Sequence, residues 1–251
     1  MGFAHSAHLM KTSSRLIIGS VALALLAVGP ARAADRKQQW DSSAALGFNL
    51  TSGNSDTLLF TAQLQTEREY EKDIWRLGAT ASYGENDGTK STEKAAAEAE
   101  YQRLLSERLY AGLRLDIAHD AIAGIDYRAT VSPSIGSYFI KSALTRLSAE
   151  IGPSFVTEKT SDGRRNYFAL RLGERFEHKF NDNAKVWQAV EIFPQVDDFS
   201  NFIARAEVGA EAALNSKISV RVVVKDEYDN QPADNRKSND VAVISSLVYK
   251  F

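Results

Sequence analysis

Apolar and polar residues alternate along most of the chain after residue 40, and this pattern constrains the fold more than any other feature. Between residues 202 and 214, Ala206, Val208 and Ala210 occupy one set of alternate positions, whereas Arg205 and Glu207 occupy the other. Successive side chains of a β-strand point to opposite faces, so a period of two indicates strands with one apolar and one polar face. The sequence therefore predicts an all-β fold.

The alternation divides into roughly twelve segments, and most of them are roughly 10–15 residues long. Strands of globular proteins average about 5–6 residues, whereas a strand that crosses the apolar layer of a membrane needs about 9–11. The predicted strands therefore have the length of membrane-spanning strands. Their bounds are 42–51, 56–71, 73–84, 93–105, 107–119, 126–140, 144–157, 165–180, 184–196, 200–214, 217–229 and 239–251.

The segment 93–105 also has features of a helix, because alanine and glutamate are abundant in it and both favour helices. Its Ala95, Ala97 and Ala99 nevertheless alternate with Glu98 and Glu100, and the segments on both sides are strands. We therefore interpret this segment as the fourth strand.

The connections differ between the two ends of the predicted hairpins. Those after even-numbered segments are tight, whereas most of those after odd-numbered segments are longer, notably 84–92, 120–125, 158–165 and 229–239. An up-and-down antiparallel barrel has this arrangement, and in outer-membrane barrels the short turns are periplasmic and the long loops extracellular. An even number of strands would place both termini on the periplasmic side.

The first 33 residues have the features of an export signal. A basic stretch precedes an apolar run from Leu16 to Val28, and Ala31 and Ala33 are the small residues expected before cleavage at Ala34. A run of roughly 13 residues is too short to cross about 30 Å of hydrocarbon as a helix. We therefore expect residues 1–33 to be a cleaved signal peptide and residues 34–251 to form one barrel domain.

The composition argues against several classes of function. The formal net charge of -2 is unlike the basic balance of proteins that bind nucleic acids. The chain has no cysteine, which excludes disulfides and thiolate metal sites. After the signal segment the histidines are His119 and His178, which are far apart in sequence and have no metal-ligand spacing. We therefore predict neither a metal site nor another cofactor.

The polar set is charged with both signs, so it either faces water on a soluble barrel or lines a wet lumen. Three features favour the lumen: the long segments, the export signal, and an apolar set rich in alanine and valine. A transmembrane barrel is therefore the preferred interpretation, and a soluble lipocalin-like barrel is the alternative. The candidate lumen-facing charges are Arg76, Glu98, Glu100, Arg114, Asp116, Arg128, Arg205, Glu207 and Arg221.

The chain ends on an alternating strand whose last residue, Phe251, shares a face with Leu247 and Tyr249. A terminal aromatic residue resembles the assembly signal of bacterial outer-membrane barrels, although an aromatic girdle at the water–lipid boundary would also explain it. We therefore predict an outer-membrane location. The expected partners are outer-membrane lipid, lipopolysaccharide and the barrel assembly machinery.

Glu174 departs from the pattern, because it falls among Leu172, Phe176 and Phe180 on the predicted lipid-facing side of its strand. A charge at that position would cost a few kcal/mol at the membrane midplane and less near an interface. A β-bulge near Gly173 would turn it inward instead. The sequence leaves both possibilities open.

The stretch from Leu46 to Gly84 resembles the YdiY-like family of bacterial outer-membrane proteins. The resemblance is carried by the loop Gly53-Asn54-Ser55-Asp56, the pair Tyr83-Gly84, the segment 100–120 and the terminal residues 245–251. It covers nearly all of the chain after the signal segment. The resemblance implies an outer-membrane barrel, in some descriptions induced by salt stress, without an activity that can be assigned to residues.

Three classes of function follow from a barrel of about twelve strands. About eight strands are just filled by side chains, so twelve could form a small passive channel with a constriction of mixed charge. Alternatively, inward arginine and glutamate residues pair and close a purely structural barrel. An outer-membrane hydrolase is the third class, but no serine in a distinctive setting accompanies His119. We therefore predict no enzymatic activity.

Overall fold

The computed structural model describes residues 40–51, 57–232 and 237–251. The predicted signal peptide and the loop Gly53–Asp56 lie outside these ranges. The described residues form the strands β1 (Asp41–Thr51), β2 (Thr57–Tyr70), β3 (Asp73–Asn86), β4 (Thr89–Leu104), β5 (Leu109–Asp120), β6 (Ile125–Lys141), β7 (Thr145–Thr160), β8 (Gly163–Asn181), β9 (Ala184–Pro194), β10 (Phe202–Ala213), β11 (Ile218–Asp229) and β12 (Asn239–Lys250).

These strands form a closed barrel in which each strand pairs with its neighbours in the chain, and β1 pairs with β12. All of the pairings are antiparallel, as in the register from Asp41–Glu67 to Thr51–Thr57 between β1 and β2. The prediction of a twelve-stranded up-and-down transmembrane barrel is confirmed. The alanine-rich segment is strand β4, so its alternation predicted its structure better than its helix propensity did.

Two of the connections that were predicted to be long are two-residue turns. Strand β3 continues to Asn86 and β4 begins at Thr89, which leaves Asp87 and Gly88 as the turn. Both have positive φ values, 49° and 71°, as a type I′ hairpin turn requires, and Asp-Gly is a favoured sequence for it. Between β7 and β8 only residues 161–162 remain outside the strands. The prediction was wrong there because polar strand ends were interpreted as loops.

Apolar side chains lie on the outside of the barrel and charged ones inside it. Phe48 and Phe139 on the outer face are 62% and 61% exposed, whereas the Glu158 side chain has no exposed surface. A soluble barrel would have the opposite arrangement, because its core must be apolar. In the part of the chain that the structure describes, no helix is long and apolar enough to cross a membrane.

Glu174 lies on the outer face. The ladders of β8 with β7 and with β9 run through Glu174 without a change of register, so Gly173 does not form a bulge. The nearest polar partner described for Glu174 is the Gln188 amide, whose Nε2 donates to its Oε2 at 3.3 Å. The carboxylate is thus placed among apolar neighbours with one amide as partner.

The β6–β7 ladder is interrupted where Pro133 faces Pro153. The described pairs stop at Val131–Phe155 and resume at Ile135–Ile151 in the same register. Proline has no N–H group and cannot donate to the ladder. The backbones still approach closely, because a Cβ atom on Gly152 would lie 1.9 Å from the Pro133 carbonyl oxygen.

Candidate functional site: the charged lumen

Several charged side chains contact residues on strands that are not their neighbours. Arg146 of β7 lies 3.1 Å from Glu69 of β2, and Arg128 of β6 lies 2.9 Å from Asp229 of β11. In a closed barrel such contacts run through the interior. The interior is therefore the site where the charges of this chain meet.

A chain of oppositely charged side chains crosses the middle of the lumen. We call it the central charge chain, and it consists in order of Glu67, Arg76, Glu100, Arg114, Glu191, Arg171 and Glu150. The Arg76 guanidinium lies 3.0 Å from both Glu67 and Glu100. Arg114 lies 3.9 Å from Glu100 and 3.7 Å from Glu191. Since Arg114 belongs to β5 and Glu191 to β9, their contact joins two walls of the barrel.

The far wall completes the central charge chain. Arg171 of β8 pairs with Glu191 of β9 and lies 2.7 Å from Glu150 of β7. Only 3% of the Arg171 side chain is exposed. A buried charge is tolerated when it is paired and hydrogen-bonded, and each arginine in this chain has at least two carboxylates. Because positive and negative side chains alternate along the central charge chain, the net charge in this cross-section of the lumen stays close to zero.

A second group, the loop-end cluster, lies towards the end of the barrel that carries the β5–β6 and β11–β12 connections. It consists of Arg128, Glu158, Arg165, Arg205, Glu227 and Asp229. The Glu158 carboxylate lies between Arg128 and Arg165 and accepts hydrogen bonds from the Nε atoms of both. Arg205 pairs with Glu227 at 3.4 Å and lies over the Phe193 ring. A cavity of about 330 Å³ adjoins the loop-end cluster.

A third group lies at the end of the barrel that carries the termini. Arg221 contacts Glu211 at 2.8 Å and donates a hydrogen bond to Gln65 of β2 at 2.9 Å. Glu211 also pairs with Lys250 at 2.7 Å. Nearby, the Trp187 ring covers Gly209, and its Nε1 donates to Glu207 at 2.6 Å.

Each of the nine charges proposed from the sequence makes an ion pair in the structure. Arg76, Glu100 and Arg114 belong to the central charge chain, and Glu98 and Asp116 pair with Arg114. Arg128 and Arg205 lie in the loop-end cluster. Glu207 pairs with Lys225, and Arg221 pairs with Glu211.

Eight members of the first two groups were absent from the predicted set: Glu67, Glu150, Arg171 and Glu191 of the central charge chain, and Glu158, Arg165, Glu227 and Asp229 of the loop-end cluster. Glu158 and Arg171 show why. The predicted seventh strand ended at residue 157, so Glu158 was assigned to a loop. Arg171 alternates with Leu170 and Leu172, so the parity of its strand would have identified it.

Phe251 and His119 lie outside these three groups. Phe251 donates its backbone N–H to the Ser42 carbonyl at 3.0 Å, and its ring stacks on Tyr249. The His119 Nδ1 is 2.9 Å from the carbonyl oxygen of Asp126. Among the described residues, no group of three or more His, Cys, Asp or Glu side chains is arranged to hold a metal ion.

Comparison with known proteins shows which family the chain belongs to. Residues 44–251 match the model of the family described as "Protein of unknown function, DUF481". The chain belongs to this family. One relative is the "Uncharacterized protein YdiY" of Escherichia coli (strain K12), which is 22% identical over 203 residues, 80% of this chain and 79% of the relative. The predicted resemblance to the YdiY-like family is confirmed.

Solved outer-membrane channels share the fold of this DUF481 member. The NanC porin aligns with a TM-score of 0.51 at 7% identity, covering 83% of this chain and 98% of the porin. An outer membrane channel from Pseudomonas putida F1 aligns with a TM-score of 0.50 at 10% identity, covering 84% of this chain and 95% of the channel. At these identities the comparison shows a common fold.

Proposed function

We propose that the chain is an integral protein of the bacterial outer membrane that forms a narrow passive pore. The central charge chain carries this proposal. A barrel of about twelve strands has room for water unless side chains fill it. Here the contact between Arg114 and Glu191 spans the lumen and divides its cross-section. The pore would therefore have a low conductance, and because both signs are present its ion selectivity would be weak.

The outer-membrane location is part of the same proposal. It is supported by the apolar outer face, by the export signal predicted from residues 1–33, and by the fold shared with outer-membrane channels. Outer-membrane lipid, lipopolysaccharide and the barrel assembly machinery would be its partners. The link to salt stress that the family resemblance implies stays a prediction, as does the absence of enzymatic activity.

A closed structural barrel is the second candidate, and the loop-end cluster favours it. Arg128 joins β6 to Asp229 of β11 at 2.9 Å, so side chains bridge the lumen there as well as in the middle. In this case the charges would stabilise the barrel without allowing ions to pass. Both candidates place the protein in the membrane.

Planar-bilayer recordings of the refolded mature protein distinguish the two candidates. Small, reproducible current steps would support the pore, and the reversal potential in a salt gradient would then give its selectivity. A silent protein whose folding is demonstrated by heat-modifiable gel mobility would refute the pore in favour of the closed barrel. A protein that stays in solution without detergent would refute the membrane location itself.

A further inference from the structure

Two polar side chains lie next to each other on the apolar outer face of the barrel. Glu174 of β8 is half-buried and points outward, and Gln188 of β9 is exposed on the same face. The Gln188 amide donates to the Glu174 carboxylate at 3.3 Å. Neither side chain makes another hydrogen bond or an ion pair within the described part of the chain. One carboxylate oxygen of Glu174 and one N–H of the Gln188 amide therefore lack a partner among the described residues.

This polar pair lies near the middle of the apolar layer. On the outer face of β8, Phe168 and Phe180 are 62% and 61% exposed, and each lies six residues from Glu174. Exposed aromatic rings are typical of the two boundaries between water and lipid. At about 3.3 Å per residue and a strand tilt of about 40°, six residues rise by roughly 15 Å, which is about half the thickness of the hydrocarbon layer. Lipid head groups are therefore too far away to contact the pair.

The acyl chains that remain at this depth cannot form hydrogen bonds with the pair. A lipid-facing charge is most costly at the midplane, and polar side chains within membranes hydrogen-bond to partners on neighbouring protein segments. A suitable partner offers both a donor and an acceptor at the same depth. The pair itself has this composition, since the Gln188 amide donates and the Glu174 carboxylate accepts. Two copies of this surface are therefore complementary about a two-fold axis.

The surface on both sides of the pair allows a second barrel to approach closely. A shallow depression of about 500 Å³ adjoins Glu174, and its lining includes the small side chains of Ser137 and Ala149. Small side chains permit close packing within membranes. On the other side of the pair, Val208 of β10 lies beside Gln188 in the ladder and is 55% exposed. A two-fold rotation places the Val208 side of one copy over the depression of the other.

We propose that this face is the interface of a homodimer in the membrane, in which Glu174 of each copy contacts Gln188 of the other. In both contacts the free amide N–H of one chain donates to the carboxylate of its partner, so each carboxylate gains a second donor. Val208 of each copy packs against the depression of the other. The interface rests on the proposed membrane location, but it does not require that the barrel conducts ions.

Photo-crosslinking in lipid vesicles tests the interface. A photoreactive residue replaces Ile192, which lines the depression, or Leu64, which is 52% exposed on β2 at the opposite side of the barrel. The mature chain is refolded in phosphatidylcholine vesicles at several protein-to-lipid ratios, and crosslinked dimers are separated on denaturing gels. We expect dimers from position 192, in a yield that falls as lipid is added, and only background from position 64. Equal yields from the two positions would indicate random collisions and overturn the proposal.

Substitutions of the pair test the contact itself. Glu174→Leu and Gln188→Leu each remove one side of both reciprocal contacts, so each should lower the association constant roughly tenfold. Neither should lower the melting temperature of the barrel, because leucine is at least as favourable on a lipid-facing surface as a polar side chain. The swapped variant, Glu174→Gln combined with Gln188→Glu, keeps both sides and should dimerise like the wild type. A yield at position 192 that neither leucine substitution changes would refute the interface.

Two outcomes separate this interface from the membrane location on which it rests. A chain that does not float with the vesicles would refute both the location and the interface. A chain that floats, shows heat-modifiable mobility and forms only lipid adducts at position 192 is a membrane-embedded monomer, which refutes the interface alone.

Discussion

Replacing Glu158 by glutamine removes the carboxylate that lies between two arginines inside the barrel. Glu158 has no exposed side-chain surface, and only 5% of the Arg128 side chain is exposed. Glutamine has the same shape, so the substitution changes charge with little change in volume. After the change, the buried guanidinium of Arg128 keeps Asp229, at 2.9 Å, as its closest described carboxylate.

The expected loss of stability follows from this geometry. Breaking a buried ion pair by removing one partner typically costs about 3–5 kcal/mol, because the other charge stays buried. Asp229 still compensates Arg128, and the glutamine oxygen can accept one hydrogen bond, so we expect the lower end, about 3 kcal/mol. The free energy of unfolding would be measured by urea titration of the refolded protein in vesicles, with tryptophan fluorescence as the signal.

The adjacent residue provides the control. Lys159 pairs with Asp126 at 2.7 Å, but both side chains are more than half exposed, so Lys159→Gln should leave the free energy of unfolding unchanged within error. The reasoning would be refuted if Glu158→Gln and Lys159→Gln had the same effect. It would also be refuted if Glu158→Gln stabilised the barrel.

Three further predictions concern other parts of the barrel. Gly209→Val should displace the Trp187 ring, because an added Cβ would lie 2.0 Å from it. The free energy of unfolding should fall by about 1–3 kcal/mol. Iodide quenching of tryptophan fluorescence should increase, and unchanged quenching would contradict this. Gly152→Ala should prevent the close approach to the Pro133 carbonyl and reduce the folded fraction on heat-modifiable gels. Gly88→Ala meets no neighbouring atom and strains only a turn residue at a φ of 71°, so it should reduce the folded fraction less; an equal reduction by both would contradict this. Deleting Phe251 should lower the amount of barrel assembled in cellular outer membranes, but it should leave the yield of refolding in detergent unchanged. Normal assembly in cells would exclude Phe251 as an assembly signal.

Much of this fold could be predicted because a membrane barrel is determined by a local pattern. Alternation in residues 93–105 identified β4 despite its helix-favouring composition, and it placed Arg114 and Glu98 on the inner face. Strand ends were less predictable, since polar residues continue strands above the apolar layer. For this reason Glu158 was assigned to a loop although it lies in β7.

The contacts across the lumen could not be predicted in this way. Alternation determines which face a side chain is on, but not which side chain lies opposite to it. The distance between Arg114 and Glu191 depends on the stagger and cross-section of the whole barrel. The pairing that closes the barrel between β1 and β12 also depends on the match between the first and last strands, which are far apart in the sequence.

Single-channel conductance of Arg114→Gln beside the wild-type protein tests the central claim most directly, because Arg114 joins Glu98 and Asp116 to Glu191 across the lumen. Neutralising it should enlarge the conductance and shift the reversal potential in a salt gradient towards cation selectivity. Lys90→Gln, which changes an exposed pair at the rim, should behave as wild type. Identical conductance and reversal potential in folded wild-type and Arg114→Gln protein would contradict a pore constricted by the central charge chain.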